Sequence, residues 1–482
     1  MDGDRNVARR RAPFPKVQVA IVFLIQFSEP ITALVIYPFV VQFVRDTGIT
    51  GGEESKTGFY AGFLESAFFL TESLSVFPLG RLSDTYGRRP VLLWGPLGLG
   101  LSMLGFGLSK SFWTLLFFRC IQGVCNGGIG SFCSPGLSIP LHNSAPQGVS
   151  KTVINEIADP TNIADIFSMM PLIWSIGTTV APLLGGLLAN PATKWPATFG
   201  RLEIFRIHAY FAPCLVAGLI ALISFAFAFV GLNETLPSIV ARRAKSNAPA
   251  VETDPLIPTP PHDAPPPIRD LLIRPVFIAL ANHGILAFVH MANEALIPLV
   301  FATPIGAGLG LNPNEIGIIL GIRGACNVVV QLLFAGPLIR RYGPRRIVIA
   351  GSIASLIQFS LYPIVGVLAR RAAGVDAAVY IVLACQLSCA FVVYFAYAGM
   401  MIFIMDAAPG PASLGSVNGL AQMVGTVLRS LAPSFSSSLF ALSVEHHFAA
   451  GNMVYFALMA VTLGALCCSL LLPRTLRSEV KA

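Results

Sequence analysis

The chain has 482 residues, of which 54% are hydrophobic and 12% charged, with a mean hydropathy of +0.71 and a net charge of +8. A soluble globule keeps roughly a quarter of its residues charged, so this composition excludes that class. The positive balance gives no reason to invoke nucleic acid, because the basic residues cluster at the ends of apolar runs.

A basic tail, residues 1–16, comes first and carries Arg5, Arg9, Arg10, Arg11 and Lys16. A spanning helix needs about 20 mostly apolar residues. Twelve runs qualify: 17–44, 57–79, 91–109, 112–139, 163–189, 208–232, 275–304, 313–337, 347–369, 376–405, 413–442 and 451–473. Internal Gly and Pro, which break soluble helices, are tolerated where neighbouring spans re-satisfy the backbone. The pattern predicts an all-α polytopic membrane protein with a C-tail at 474–482. The first run follows a basic tail but is too long for a cleaved leader, so it reads as an anchor.

With the N-terminus in the cytoplasm, the tails and loops on that side hold 21 Lys and Arg, the opposite loops 8, and the spans 3. Arg370 and Arg371 fall on the poorer side. The positive-inside rule therefore places both termini in the cytoplasm. All nine cysteines, among them Cys120, Cys125, Cys385, Cys389, Cys467 and Cys468, fall within spans without zinc spacing and read as small packing residues.

The longest polar interval, 233–274, contains the proline-dense PLIPTPPHDAPPPIRD (255–270), an extended spacer. It separates two sets of six spans, 17–232 and 275–473. Gly80, Leu82, Tyr86, Gly87 and Arg89 recur as Gly336, Leu338, Tyr342, Gly343 and Arg345; Pro15 and Pro38 recur as Pro275 and Pro298. Such a repeat in one orientation implies two pseudo-symmetric bundles related by an axis along the membrane normal.

At these residues the chain resembles the major facilitator superfamily, in its twelve-span drug:proton antiporter branch. GRLSDTYGRR (80–89) matches the signature between spans two and three, except that Thr85 stands where a basic residue is usual. Arg119-Cys-Ile-Gln-Gly matches a second signature in span four, with Arg119, Gln122 and Gly123 in place. Gly177-Thr-Thr-Val-Ala-Pro-Leu-Leu-Gly-Gly is similar to the antiporter signature of span five, including Gly177, Pro182, Gly185 and Gly186, with Ala181 replacing a usual glycine. Phe27-Ser-Glu-Pro-Ile together with Arg429 resembles the zinc-induced-facilitator-like relatives of fungi and plants. The resemblance implies that Asp84 docks on the start of span eleven near Gly415 when the cavity faces outward. It also implies a gating role for Gly80, Asp84, Gly87, Arg88 and Arg89, and Arg119 as the partner of Glu29. A plain positive-inside loop is the simpler reading of the same segment, and ordinary tight packing that of span five.

Charge inside the spans is sharper evidence, because an ionisable residue at a helix centre costs about 2.5–3.5 kcal/mol on insertion scales. Span one holds Glu29 alone. Glu65 and Glu72 share a face of span two, and Arg119, Gln122 and Asn126 align in span four. His283, His290 and Glu294 form a stripe in span seven; Arg323, Asn327 and Gln331 repeat in span eight; Asn418, Gln422 and Arg429 align in span eleven. A hydrated cavity between the bundles accommodates all these stripes, and in the resembled family spans one, four, seven and ten line it. Some of the charges can equally be salt bridges that lock the bundle, Glu65 and Arg323 above all.

A carboxylate in such a site can take and release a proton. Glu29 is the leading proton site and His290 with Glu294 the second. Too few ligands converge there for a metal, and no cofactor is expected beyond a proton gradient as the energy source. HExxH, GxSxG and nucleotide-loop motifs are absent, which argues against an enzyme. The reading is a monomeric secondary transporter, partnered by lipid, protons and a small molecule, that exports an organic or cationic solute. Uptake, carriage of a metal or its chelate, and solute sensing without transport are the alternatives. Plasma and vacuolar membranes fit equally.

Overall fold

A computed structural model describes residues 15–129, 149–157, 163–236, 239, 273–409 and 413–473. The basic N-tail up to residue 14, the end of the fourth predicted span with Cys133, the proline-dense spacer and the C-tail lie outside the described residues.

The helices are α1 (Lys16–Leu34), α2 (Val40–Asp46), α3 (Glu54–Tyr86), α4 (Arg88–Leu108), α5 (Phe112–Asn126), α6 (Val149–Ile157), α7 (Ile163–Leu188), α8 (Pro191–Lys194), α9 (Glu203–Ile207) and α10 (Phe211–Gly231). The second half holds α11 (Arg274–Ala302), α12 (Pro313–Tyr342), α13 (Pro344–Ala372), α14 (Ala377–Ala407), α15 (Leu414–Glu445) and α16 (Met453–Leu470). Twelve of these reach 15 residues or more among the described residues, and nine are long and apolar enough to cross a membrane on composition alone. Large apolar side chains such as Leu74, Trp94, Trp113, Phe117, Val230 and Ile381 stay exposed, as expected where lipid is the solvent.

Three sequence expectations need correction. The first span is two helices: α1 stops at Leu34, residues 35–39 form turns, and α2 begins at Val40. Pro38 has no N–H to offer the Leu34 carbonyl, and the Tyr37 N–H takes that oxygen at 3.2 Å instead. The segment 80–90 is almost wholly helical; one residue, Gly87 at φ 112, separates α3 from α4. Gly343 at φ 77 makes the same single-residue break between α12 and α13, a backbone setting open to glycine. The fourth span is helical only to Asn126 among the described residues.

Buried apolar side chains show how the halves meet. On the side that carries the interdomain spacer, each half has its own cluster: Val22, Ile25, Leu92 and Leu99 in the first, Leu280, Val348, Met400 and Phe403 in the second. On the far side one cluster runs through both, from Ile36, Phe39 and Phe106 to Leu296, Phe301 and Phe359. Small residues permit this approach. A Cβ on Gly186 of α7 would stand 2.7 Å from Gly317 Cα of α12, and one on Gly62 of α3 would stand 2.6 Å from Ser437 Oγ of α15. The Ser434 N–H donates to Ser66 Oγ across the same junction at 2.8 Å. The molecule is closed on the far side.

Candidate functional site: a charged cavity between the halves

Between the bundles lies a cavity of about 880 Å³, counted to its open mouth. Glu29 and Ala33 of α1 line it with Tyr37 of the turn, Phe68 and Glu72 of α3, Asn126 of α5, and Trp174, Thr178 and Pro182 of α7. The second half contributes His290 and Glu294 of α11, Arg323 of α12, and Tyr394 and Tyr397 of α14. Span two, which the resemblance does not assign to the lining, thus contributes an acid and two phenylalanines, Phe68 and Phe69; among the described residues, span eleven contributes nothing to the lining.

In the first half two acids converge on one amide. Asn126 Nδ2 donates to Glu29 Oε1 at 3.3 Å and to Glu72 Oε1 at 3.0 Å, with Glu29 1% and Glu72 6% exposed. Arg119 does not pair with Glu29. Its guanidinium donates to Gln122 Oε1 at 2.9 Å and to the Ala33 carbonyl at 3.0 Å, and it lies over the Phe68 ring at 4.3 Å. The reason is reach: α5 presents Asn126, two turns further along, to Glu29, and Gln122 holds Arg119 back against α1. Gln122 Nε2 is itself held by Met103 Sδ at 3.3 Å. Glu65 is 2% exposed, outside the lining, and its Oε2 has no hydrogen-bond partner among the described residues. It forms no ion pair with Arg323.

The second half places its acid in a different setting. Arg323 grips Glu294 with both terminal nitrogens, at 2.8 and 2.6 Å. His290 Nε2 stands 3.9 Å from the same carboxylate and packs edge-on against Tyr394 and Tyr397. His283 also meets Tyr397 edge-on, with ring centroids 6.1 Å apart. His283 and Arg429 crowd over Gly425, where an added Cβ would stand 2.9 Å from His283 Nε2 and 3.0 Å from Arg429 Nη2. Asn327, Gln331, Asn418 and Gln422 do not reach the cavity lining; Gln331 instead donates to the Phe391 carbonyl of α14 at 3.5 Å. Among the described residues no group of three or more His, Cys, Asp or Glu side chains is placed to hold a metal.

On the spacer side, Asp84 is 62% exposed and pairs with Arg88 one turn on; it is not docked on α15. Arg88 also donates to Ser83 Oγ at 2.8 Å and to Glu156 Oε1 of α6 at 3.2 Å. Glu234 accepts the N–H groups of Arg88 and Arg89 at 2.8 and 3.1 Å, which satisfies the open start of α4. Arg89 reaches the Phe229 carbonyl at 2.6 Å. Gly80 faces open space, so a side chain there would meet no neighbour within 4 Å of its Cβ. The glycines of the fifth-span signature are contact points: Gly177 lies against Pro30, Gly185 against the Val35 carbonyl and Gly186 against α12.

Sequence reasoning missed the aromatic wall of Tyr37, Phe68, Trp174, Tyr394 and Tyr397. The three-residue spacing of Tyr394 and Tyr397 was the available signal. It also missed Glu156 and Glu234, which sit in segments read as loop.

The Major Facilitator Superfamily model matches residues 22–135 and 144–433. The chain belongs to that family. It is similar to the major facilitator-type transporter psiT2 of Psilocybe cyanescens, at 31% identity over 99% of this chain and 94% of that one. It is also similar to the major facilitator superfamily multidrug transporter mfsB of Aspergillus fumigatus, at 26% over 90% and 79%, and to ZINC INDUCED FACILITATOR 1 of Arabidopsis thaliana, at 25% over 94% and 90%. A solved bacterial homologue of the human lysosomal transporter Spinster, inward-facing and unoccupied, superposes with a TM-score of 0.67 over 96% of each chain at 14% identity, a likeness of fold. This major facilitator chain is therefore a multi-pass membrane transporter of twelve helices in two bundles around a central cavity, and not an enzyme.

Proposed function

We propose that the protein is a proton-coupled antiporter that exports a small organic or cationic solute by alternating access, with both termini in the cytoplasm. The observation that carries this reading is the cavity itself, where Glu29, Glu72 and Glu294 share the lining with one arginine and an aromatic wall. Three acids against one base favour a cationic guest, and aromatic faces attract such a charge by about 0.5–2 kcal/mol. Glu29 and Glu72 on one amide form a place where one carboxyl can carry a proton while the other stays charged. The bonded pair of Arg323 and Glu294 serves as the fixed wall. Separate cores on the spacer side and a shared core on the far side suit a state open to the cytoplasm. Export is supported by the span-five signature and by the word multidrug in the name of the Aspergillus relative.

The test is reconstitution into proteoliposomes with an imposed pH gradient and two probes of opposite charge, tetraphenylphosphonium and a sulfonated dye. Gradient-driven movement of the cation, lost in Glu29→Gln, is the expected result. Transport of the anion alone, or of neither probe, rejects the cationic reading.

A further inference from the structure

A second cavity opens on the far side of the C-terminal half, apart from the central one. Its space, with the open solvent at its mouth included, is about 740 Å³, and it lies between the end of α11, α13, the end of α15 and the start of α16. The sequence marks this place in one way only: Arg370 and its neighbour Arg371 lie on the side poor in basic residues.

The floor is aromatic. Tyr362 and Tyr455 stack in parallel, 4.8 Å apart with 5° between their planes, and both are buried. The Tyr362 hydroxyl donates to Asn293 Oδ1 at 3.0 Å, so its hydrogen is committed. The Tyr455 hydroxyl has no hydrogen-bond partner among the described residues, although Tyr455 is only 4% exposed. Arg370 lines the same cavity. One Arg370 nitrogen is held by the Gly306 carbonyl at 3.0 Å, which fixes the guanidinium at the rim and leaves its other donors open.

The rim is completed by His447, Ala450, Gly451 and Asn452. His447, Ala449 and Ala450 all adopt left-handed backbone, at φ 52, 50 and 55, a costly setting for residues with a side chain. The Asn452 amide ties this strap down by donating to the Ala449 and Ala450 carbonyls at 3.2 and 3.1 Å. The remaining wall is apolar, from Val300, Leu309, Val365 and Val444.

Among the described residues no carboxylate lines this cavity, whereas three line the central one. Each of its main polar groups can donate: a phenol and an arginine fork, with an imidazole beside them. Donors of that kind, with no carboxylate to compete, suit a phosphate or carboxylate oxygen. The apolar wall at a helix end suits the chain attached to such a headgroup.

We propose that this vestibule binds the phosphate or carboxylate headgroup of an anionic amphiphile, held by Arg370 and the Tyr455 hydroxyl. The site is distinct from the transport cavity and does not depend on which solute that cavity carries. Asn293 adjoins Glu294 in α11, so an occupant that shifts Tyr362 would be felt beside the Arg323–Glu294 pair.

The test uses the purified full chain in detergent and three probes: dioctanoyl phosphatidate, inorganic phosphate and zwitterionic dioctanoyl phosphatidylcholine. Saturable binding of phosphatidate, weakened about tenfold by Arg370→Gln and about threefold by Tyr455→Phe, is the expected result. Phosphate binding that also falls in the variants assigns recognition to the headgroup alone; binding of phosphatidate without phosphate assigns it to a lipid. Tyr455→Phe keeps the ring stack, so it remains informative if Arg370→Gln fails to fold. Equal binding of the phosphatidylcholine, no binding of either anion, or unchanged affinity in both variants overturns the proposal.

Discussion

In the N-terminal half, Glu29 and Glu72 reach the cavity side by side through one amide of Asn126. In the C-terminal half, Glu294 is gripped by two nitrogens of Arg323. The first arrangement brings two like groups together through a neutral donor. The second neutralises one acid with a fixed, planar cation whose geometry matches it. Glu29 and Glu72 are 1% and 6% exposed and the Glu294 side chain 12%, so the larger difference lies in what a change of protonation would disturb. Protonating a member of the first pair leaves Asn126 bonded to the other acid, whereas protonating Glu294 would break a two-bond clamp. We propose that the first half carries the movable charge and the second the fixed charge.

The largest effect should come from breaking the clamp. Arg323→Met leaves Glu294 buried without its partner, a loss of about 3–5 kcal/mol, visible as a lower thermal transition in detergent. The double variant Arg323→Met/Glu294→Met should recover most of it, because no uncompensated charge remains. Next comes the far-side junction. Gly186→Val drives a branched side chain into the backbone of Gly317 and should cost about 1–3 kcal/mol, while shifting the population toward states parted on that side, measurable by cysteine accessibility.

Asn126→Leu tests the shared amide. It removes the donor from two acids and should cost about 1–3 kcal/mol, with a larger fractional loss of gradient-driven transport than of stability. The smallest stability effect is expected at Asp84, whose carboxylate is 62% exposed where it meets Arg88. Asp84→Asn should change unfolding by less than about 1 kcal/mol yet slow transport turnover, if that acid is used only in the state open to the other side.

Much of this layout could be read from the residues. Glu29, Glu72, Asn126, His290, Glu294 and Arg323 stood out because charge and amide groups are costly inside apolar runs, and all six line the cavity. Their pairing could not be read, since helical spacing fixes a face within one helix but not which helix it meets. Arg119 shows the limit: the family resemblance implied a pair with Glu29, but Gln122, one turn away on the same helix, took the guanidinium first. The break at residues 35–39 was half visible, because Pro38 marked a bend without saying that the helix would stop. Tyr394 and Tyr397 were hidden for the opposite reason. Aromatic residues are unremarkable in a span, so their three-residue spacing alone did not separate a cavity wall from lipid-facing bulk.

The central claim is that the Glu29–Asn126–Glu72 group trades protons for solute while Arg323 and Glu294 hold the wall. The most direct measurement compares gradient-driven transport with gradient-free solute exchange in proteoliposomes carrying Glu29→Gln or Glu72→Gln. The account predicts that at least one variant loses gradient-driven transport and keeps exchange, because the solute still binds and the halves still rock. Full gradient-driven transport in both variants would contradict it.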